Sequence, residues 1–315
     1  MNTAQTQSFN KTTFLANLTK KKPSNKAFLH FITAIYENGG PKKEEFTSLE
    51  NVLNHYLNQL SKDQLVKLSK KVPSVFGDAF VNSLIGHASL KPHGYAGDYE
   101  VIDMIYKNYL SEHQELTNWD QYFNWVAASK AVRNRKQYFK NILNKKKGKP
   151  LQVLNIASGP CRDVLEYFEE ENPTDLTFDC VEADINAILH ATKLNRKHLP
   201  HITFHNKNIF KFTTDKKFDL IWSAGLFDYF DDTTFTDLIA RIHHFVKPGG
   251  ELIIGNFNVV NSSRGFMEIL LGWFLYHRSE AQMETLARTA CGDKLKNVSI
   301  ESEPEGVNLF MRLKF

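Results

Sequence analysis

A chain of 315 residues with 42% apolar and 23% charged side chains is long enough for about two domains and can bury a sizeable core, which excludes a disordered tail. The three cysteines, Cys161, Cys180 and Cys291, are odd in number and lack CxxC spacing, so neither a disulfide framework nor a cysteine zinc site is indicated and a reducing cytoplasm is the expected location. Met1 to Leu18 is polar, interrupted by Gln7, Asn10 and Lys11, and lacks the apolar core of a signal peptide. No stretch is long and apolar enough to span a bilayer. The net charge of +4 conceals an asymmetry, because residues 1–150 hold 22 Lys and Arg against 12 Asp and Glu, whereas residues 151–315 hold 17 against 23. Such a split predicts two modules.

From Phe14 to Phe139 apolar residues recur at helical spacing, as in Phe28, Ile32 and Ile35, or Val52, Leu53, Tyr56 and Leu57. Residues 1–145 are therefore expected to form a helical domain acting as a cap over the substrate. Ser61-Lys62-Asp63-Gln64 is a capping box opening a helix with Leu65, Val66 and Leu68. One loop interrupts the pattern, Lys91-Pro92-His93-Gly94-Tyr95-Ala96-Gly97-Asp98-Tyr99. Its glycines allow close backbone approach, so it is either an interhelical turn or a lid over a ligand. The aromatics Trp119, Tyr122, Phe123 and Trp125 are expected in the core, while Arg133 and Arg135 face the second module or an anionic ligand. The run Lys145-Lys146-Lys147-Gly148-Lys149-Pro150 reads as a solvated linker or, alternatively, a nucleic-acid contact.

Beyond it, short apolar runs alternate with helical stretches, which argues for βαβ units and a parallel sheet. Strands are predicted at Gln152–Ala157, Thr177–Glu182, Ile202–Phe204, Leu220–Ser223 and Glu251–Asn256. Helices fall at Asp163–Glu171, Asn186–Arg196 and Thr233–Val246, with two more at Arg264–Tyr276 and Ser279–Ala290. Val298–Ser302 and Val307–Lys314 close the chain as a hairpin around Glu303-Pro304-Glu305-Gly306. The first strand leads into Ala157-Ser158-Gly159-Pro160-Cys161, a lone-glycine turn. The second ends in Glu182-Ala183-Asp184, where an acid can accept from ribose hydroxyls. After the third, Asn208 can pair with a base amino group and Ile209 or Phe210 can cover the ring. A turn, an acid and an amide on successive strand ends are what a crevice at the switch point of a doubly wound sheet requires. His243, His244, His198 and His201 lack acidic or cysteine partners at ligand spacing and are read as surface or capping residues, so no metal is expected.

These motifs, with Phe218-Asp219-Leu220-Ile221 and Val246-Lys247-Pro248-Gly249-Gly250, resemble the class I S-adenosylmethionine-dependent methyltransferases over about residues 151–257. The resemblance implies an α/β, Rossmann-like, doubly wound, mostly parallel seven-stranded sheet with an antiparallel last strand, preceded by the N-terminal helical domain, with the cofactor-binding domain at 150–315. It also implies that Ala157, Ser158 and Gly159 line the methionine portion of S-adenosyl-L-methionine, Glu182 the ribose, and Asn208 with Ile209 the adenine; Asp184 and Ser223 complete the cofactor set. Ala157 and Cys161 stand where the family often has glycine, and Asn208 where it often has aspartate. A narrower resemblance, carried by His93–Tyr99, Ser223–Tyr229, Gly255-Asn256-Phe257 and Phe266-Met267-Glu268, is to the bacterial extracellular-factor 3-hydroxypalmitic acid methyl ester biosynthesis group. That implies a carboxyl O-methyltransferase making a fatty-acid methyl ester.

Methyl transfer from a sulfonium is an in-line displacement in which the protein aligns nucleophile, methyl and sulfur. A carboxylate acceptor is ionised at neutral pH and needs no base, whereas a hydroxyl needs one. Asp228 and Tyr229 past the fourth strand are the candidate catalytic, positioning residues. Tyr95, Asn256, Glu268, Tyr276 and Arg278 are candidates for the acceptor, with Asn258 beside them; Arg278 either pairs a carboxylate or forms a surface salt bridge. The expected partner is a small-molecule acceptor, an acyl carboxylate. Two alternatives stand beside it: an RNA or protein methyltransferase using the basic N-terminal half, and a non-catalytic cofactor-binding module.

Overall fold

The structure is a computed structural model that describes residues 24–315. The Met1–Leu18 segment and the beginning of the helical pattern at Phe14 lie outside the described residues. Before Leu151 these hold seven α-helices and no strand: α1 (Asn25–Glu37), α2 (Phe46–Gln59), α3 (Lys62–Ser69), α4 (Leu84–Leu90), α5 (Tyr99–Tyr106), α6 (Gln114–Trp125) and α7 (Ala127–Lys145). Strand β1 (Leu151–Ile156) follows, then α8 (Arg162–Glu171), β2 (Leu176–Glu182), α9 (Ile185–Leu194), β3 (Ile202–Asn206), β4 (Phe218–Ser223), α10 (Asp232–Ile242), β5 (Val246–Phe257), α11 (Glu280–Cys291), β6 (Asn297–Ser302) and β7 (Asn308–Lys314).

The chain falls into two compact units. One comprises the described residues up to Leu90 with Leu110–Phe123 and Ser262–Trp273; the other comprises Lys91–Tyr109, Asn124–Asn261 and Phe274–Phe315. The first unit is helical because its apolar residues recur on one side of each helix: α1 buries Phe28, Phe31, Ile32 and Ile35, and α2 buries Phe46, Leu49, Val52, Leu53 and Tyr56. The capping box at Ser61 and Gln64 opens α3 as expected. Trp119, Tyr122 and Phe123 are core residues and Trp125 is half-buried. The helix expected at Arg264–Tyr276 shrinks to one π-helical turn, Phe266–Leu270. Its Phe266 ring takes Tyr122 and Phe123 edge-on at 5.4 and 5.2 Å, so side-chain packing, not helical periodicity, sets the local backbone.

The second unit holds a seven-stranded sheet of order β3-β2-β1-β4-β5-β7-β6. Strands β1 to β5 pair in parallel, while β7 runs antiparallel between β5 and β6. Side chains alternate between two buried faces, as in a sheet covered on both sides. Leu154, Ile221, Leu252, Ile254 and Met311 meet Phe235, Leu238 and Ile239 of α10 and Met283 of α11 on one face. On the other, Val153, Phe178, Trp222, Ile253 and Phe310 meet Phe139, Ile142 and Leu143 of α7. Phe139 stacks on Trp222 at 4.6 Å, and Tyr138 on Phe310 at 3.9 Å. The Val246-Lys247-Pro248-Gly249-Gly250 turn, expected before the fifth strand, is a bulge within it: Phe218 pairs with Val246 and Leu220 already with Glu251.

Residues 145–150 lie inside this second unit, joining α7 to β1. Their lysines are not simply solvated, since Lys147 pairs with Glu171 and Lys146 lies 3.5 Å from Glu251. His243, read as a surface or capping residue, is the buried C-cap of α10, with Nδ1 3.3 Å from the Ile239 carbonyl. Phe139→Ala should cost about 3–5 kcal/mol by opening a cavity beside Trp222. A urea unfolding midpoint equal to that of the unchanged protein would detach α7 from the sheet core.

Candidate functional site

The strand order reverses at β1, whose neighbours are β2 and β4. Helices departing from these two strands go to opposite sides, so their carboxyl ends border a crevice. The loop after β1 lines it. Ala157, Gly159 and Cys161 have φ of +52°, +54° and +49°, so two residues that replace the usual glycines still take the left-handed conformation, at roughly 1–2 kcal/mol each for a residue with a Cβ. The loop shape is retained and strained. Nothing would lie within 4 Å of a Cβ at Gly159, which leaves its backbone open to a ligand. The buried Ser158 Oγ has no hydrogen-bond partner, an orphan that a polar ligand at this loop would satisfy.

The end of β2 organises the loop. Glu182 Oε2 accepts from the Gly159 N–H at 3.0 Å, and Oε1 accepts from the Ala183 and Asp184 N–H groups at 2.7 and 3.0 Å. Three bonds leave about one of the carboxylate's four lone-pair positions for a hydroxyl. Asp184 caps α9 through the Asn186 N–H and also accepts from the Tyr95 hydroxyl at 2.9 Å. Burial first, then this bond to Asp184, holds the Tyr95 phenol well above its usual pKa. Asn206, which the sequence did not single out, donates to the Glu182 and Ala183 carbonyls at 3.3 and 3.0 Å. Asn208 is exposed and caps a short 3-10 turn, accepting from the Phe210 N–H at 2.9 Å. Ile209 is buried in the core beside α10, so of the two residues expected to cover a ring, Phe210 is the accessible one.

Past β4 most of the expected site residues are tied to the protein itself. Ser223 is fully buried and donates to the Ile156 carbonyl at 3.3 Å, bracing β4 against β1. Tyr229 donates to the Ala96 carbonyl at 2.8 Å. The His93–Tyr99 loop is therefore fastened at Tyr95 to Asp184 and at Ala96 to Tyr229, bridging the two sides of the crevice. Arg278 is neither a surface salt bridge nor a free carboxylate clamp. It is 2% exposed; its Nε bonds Asp232, its Nη1 the Phe227 carbonyl and Asn256, and its Nη2 the Phe230 carbonyl and Asp232. All five donors are spent. Asn256 is spent likewise, donating to the Phe257 and Tyr276 carbonyls. Asn258 donates to the Gly306 carbonyl. Tyr276 remains half-exposed, and Val259 and Val260 beside β5 are exposed as well. Glu268 lies in the helical unit, buried and bonded to Arg264 at 2.5 Å.

Helix α7 contributes a residue beyond those in the strand-end motifs. Arg135 is 7% exposed and shares the face of α7 that carries Ala128, Ala131, Val132 and Phe139, a phase readable from the sequence. Its Nη1 donates to the Ala224 carbonyl at 3.3 Å and its Nε to the Tyr106 hydroxyl at 3.4 Å. A separate cleft of about 400 Å³ is lined by His190, Lys193, Arg196 and Lys197 with Leu165 and Leu194. Leu165, with Glu169, belongs to α8, His190, Lys193 and Leu194 to α9, and Arg196 and Lys197 lie just past its end.

Asp228 is buried and accepts from the Phe257 N–H at 2.5 Å, while its carbonyl accepts from Tyr276. Burial pushes its carboxyl up to about 7, against the opposing pull of Phe257, Arg135 and Arg278. An acid with a raised folded-state pKa binds its proton more tightly when folded, so its contribution is fully present at low pH and is lost between the unfolded value near 4 and about 7. Asp228→Asn keeps an oxygen for Phe257 and removes that loss. Its urea midpoint relative to the unchanged protein should therefore rise between pH 4 and 7.5; a constant difference would place the titration elsewhere.

Among the described residues no helix is long and apolar enough to cross a membrane. No curated protein sequence matches the chain significantly. Among solved structures, a possible exported protein from Bordetella parapertussis aligns at TM-score 0.60 and 16% identity, covering 80% of this chain and 94% of its own, a likeness of fold. The 1,6-didemethyltoxoflavin-N1-methyltransferase of Burkholderia thailandensis aligns at TM-score 0.44 and 19% identity, covering 56% and 76% respectively. Residues 153–250 match the family described as Methyltransferase domain. With that match spanning β1 to the bulge of β5, the chain carries a class I S-adenosylmethionine-dependent methyltransferase domain.

Proposed function

We propose that the chain transfers the methyl group of S-adenosylmethionine to the carboxylate of a fatty or hydroxy-fatty acid, forming a methyl ester. The cofactor supplies the electrophilic methyl group, so the chain's task is alignment and exclusion of water. In this reading the strained loop Ala157-Ser158-Gly159 receives the methionyl portion, with Ser158 Oγ as an unspent polar group. Glu182, with Asp184 beside it, takes the ribose, and Asn208 with Phe210 takes the adenine. The Tyr95 and Tyr229 bonds hold the His93–Tyr99 loop across both groups of residues.

The observation that carries the choice of acceptor is the condition of Asp228. The acid nearest the end of β4 is buried and committed to the Phe257 N–H, so an acceptor that is already ionised suits the site best. The exposed Val259, Val260 and Tyr276 near the end of β5 offer apolar surface to an aliphatic chain. The three buried thiols, none in a disulfide, suit a reducing compartment such as the cytoplasm.

Labelled S-adenosylmethionine incubated with the protein and an extract of its source cells should put label into an organic-extractable product that mild base releases as volatile methanol. Base-stable label, or label remaining with RNA or protein, would discard the ester. Glu182→Ala should weaken S-adenosylhomocysteine binding by roughly 10- to 100-fold, the worth of a charge-assisted hydrogen bond to a ribose hydroxyl, when measured by calorimetry. An unchanged affinity would remove Glu182 from the cofactor site.

A further inference from the structure

Arg135 is a buried cation with open donors. A guanidinium 7% exposed normally sits against a carboxylate, because an unpaired buried charge is expensive. Among the described residues no carboxylate oxygen lies within 4.0 Å of it. Two of its five N–H groups are engaged, both at long range and both with neutral oxygens, the Ala224 carbonyl at 3.3 Å and the Tyr106 hydroxyl at 3.4 Å. Nη2 carries no hydrogen bond. The acids that act on it from a distance are Asp228, past β4, and Asp163, in the first turn of α8 just after the strained loop. Arg135 therefore lies between the carboxyl ends of β1 and β4. The loop over it is shaped to admit it: a Cβ at Gly225 would come within 2.9 Å of Nη1.

The geometry points to Arg135 as the residue that binds the carboxylate of the cofactor's methionyl end, an assignment that rests on the methyltransferase reading above. A buried cation with an uncommitted edge, placed beside the loop assigned to the methionyl portion, supplies what an amino-acid carboxylate requires: charge and a planar fork of donors. The residue lies on α7, outside the 153–250 stretch that matches the methyltransferase family. Cofactor recognition would then draw on the helical segment before the sheet as well as on the strand ends.

The test compares two ligands differing only in that carboxylate, S-adenosylhomocysteine and its decarboxylated analogue S-adenosyl-3-thiopropylamine, titrated by calorimetry without any acceptor. The unchanged protein should prefer S-adenosylhomocysteine by roughly 10- to 100-fold, as a charge-assisted pair predicts. Arg135→Met should reduce that preference to about threefold or less by weakening S-adenosylhomocysteine alone, and its retained affinity for the analogue reports an intact fold. Should Arg135→Met not fold, Gly225→Ala, which displaces the guanidinium, should shrink the preference in the same direction. A preference unaltered in the variant would overturn the assignment, leaving Arg135 to neutralise Asp163 and Asp228 or to meet the acceptor's carboxylate, which would appear instead as a raised acceptor KM. If neither ligand binds the unchanged protein, the methyltransferase reading fails with it.

Discussion

The site depends on one carboxylate that collects backbone N–H groups from two strand ends. Glu182 bonds the Gly159 N–H after β1 and the Ala183 and Asp184 N–H groups after β2. Parallel pairing in register, Ile156 opposite Val181, brings those ends to the same edge. Only then can one side chain span both. Its partners are all main chain, so the arrangement survives replacement of the usual glycines by Ala157 and Cys161, provided those residues accept a left-handed φ. The strain is offset by the charge-assisted hydrogen bond from the Gly159 N–H and by packing of Cys161, which is fully buried with its Sγ 3.9 Å from that of Cys180.

The sheet was legible because a buried parallel strand and an amphipathic helix write opposite periods into the sequence. Each strand from β1 to β7 falls where the apolar runs put it, to within a few residues, apart from β5. There Pro248-Gly249-Gly250 reads as punctuation before a strand, yet pairing of Phe218 with Val246 extends the ladder across it. The segment around Phe266 misled for the reverse reason. Its apolar residues have a helical look, but two aromatic rings fix Phe266 edge-on and the backbone forms a single wide turn. Local pattern loses wherever a few tertiary contacts dominate.

Side-chain roles were less legible than positions. Asp228, Asn256 and Arg278 all lie at the carboxyl edge of the sheet, as their places after β4 and β5 imply. What the sequence does not encode locally is that they bond one another's neighbourhoods: Arg278 reaches Asn256, Asn256 reaches the Tyr276 carbonyl, and the Tyr276 N–H reaches the Asp228 carbonyl. This closed circuit anchors the segment after β5 to the turn after β4. Polar residues at a strand end advertise a ligand and a brace equally well, and separations of 20 residues or more hide which it is.

Two buried arginines show how the two cases can be separated. Both are charged, both nearly inaccessible, and both lie in the sheet unit, so burial and charge do not distinguish them. Counting donors does. Arg278 satisfies five N–H groups, pairs with Asp232, and lies 4.3 Å from the Phe235 ring face; its charge is accounted for by the protein alone. Arg135 has two long bonds to neutral oxygens; Tyr106, Asp228 and Asp163 favour its charge from around it, but its Nη2 donors stay open. Burial pushes the nearby acids up, Asp163 to about 6 and Asp228 to about 7, while Arg135 pulls both down. Filling those open donors from outside is what an anionic ligand does. The side chain best placed to recognise one is therefore the arginine with open donors, on a helix before the sheet, rather than the one beside the expected acceptor residues.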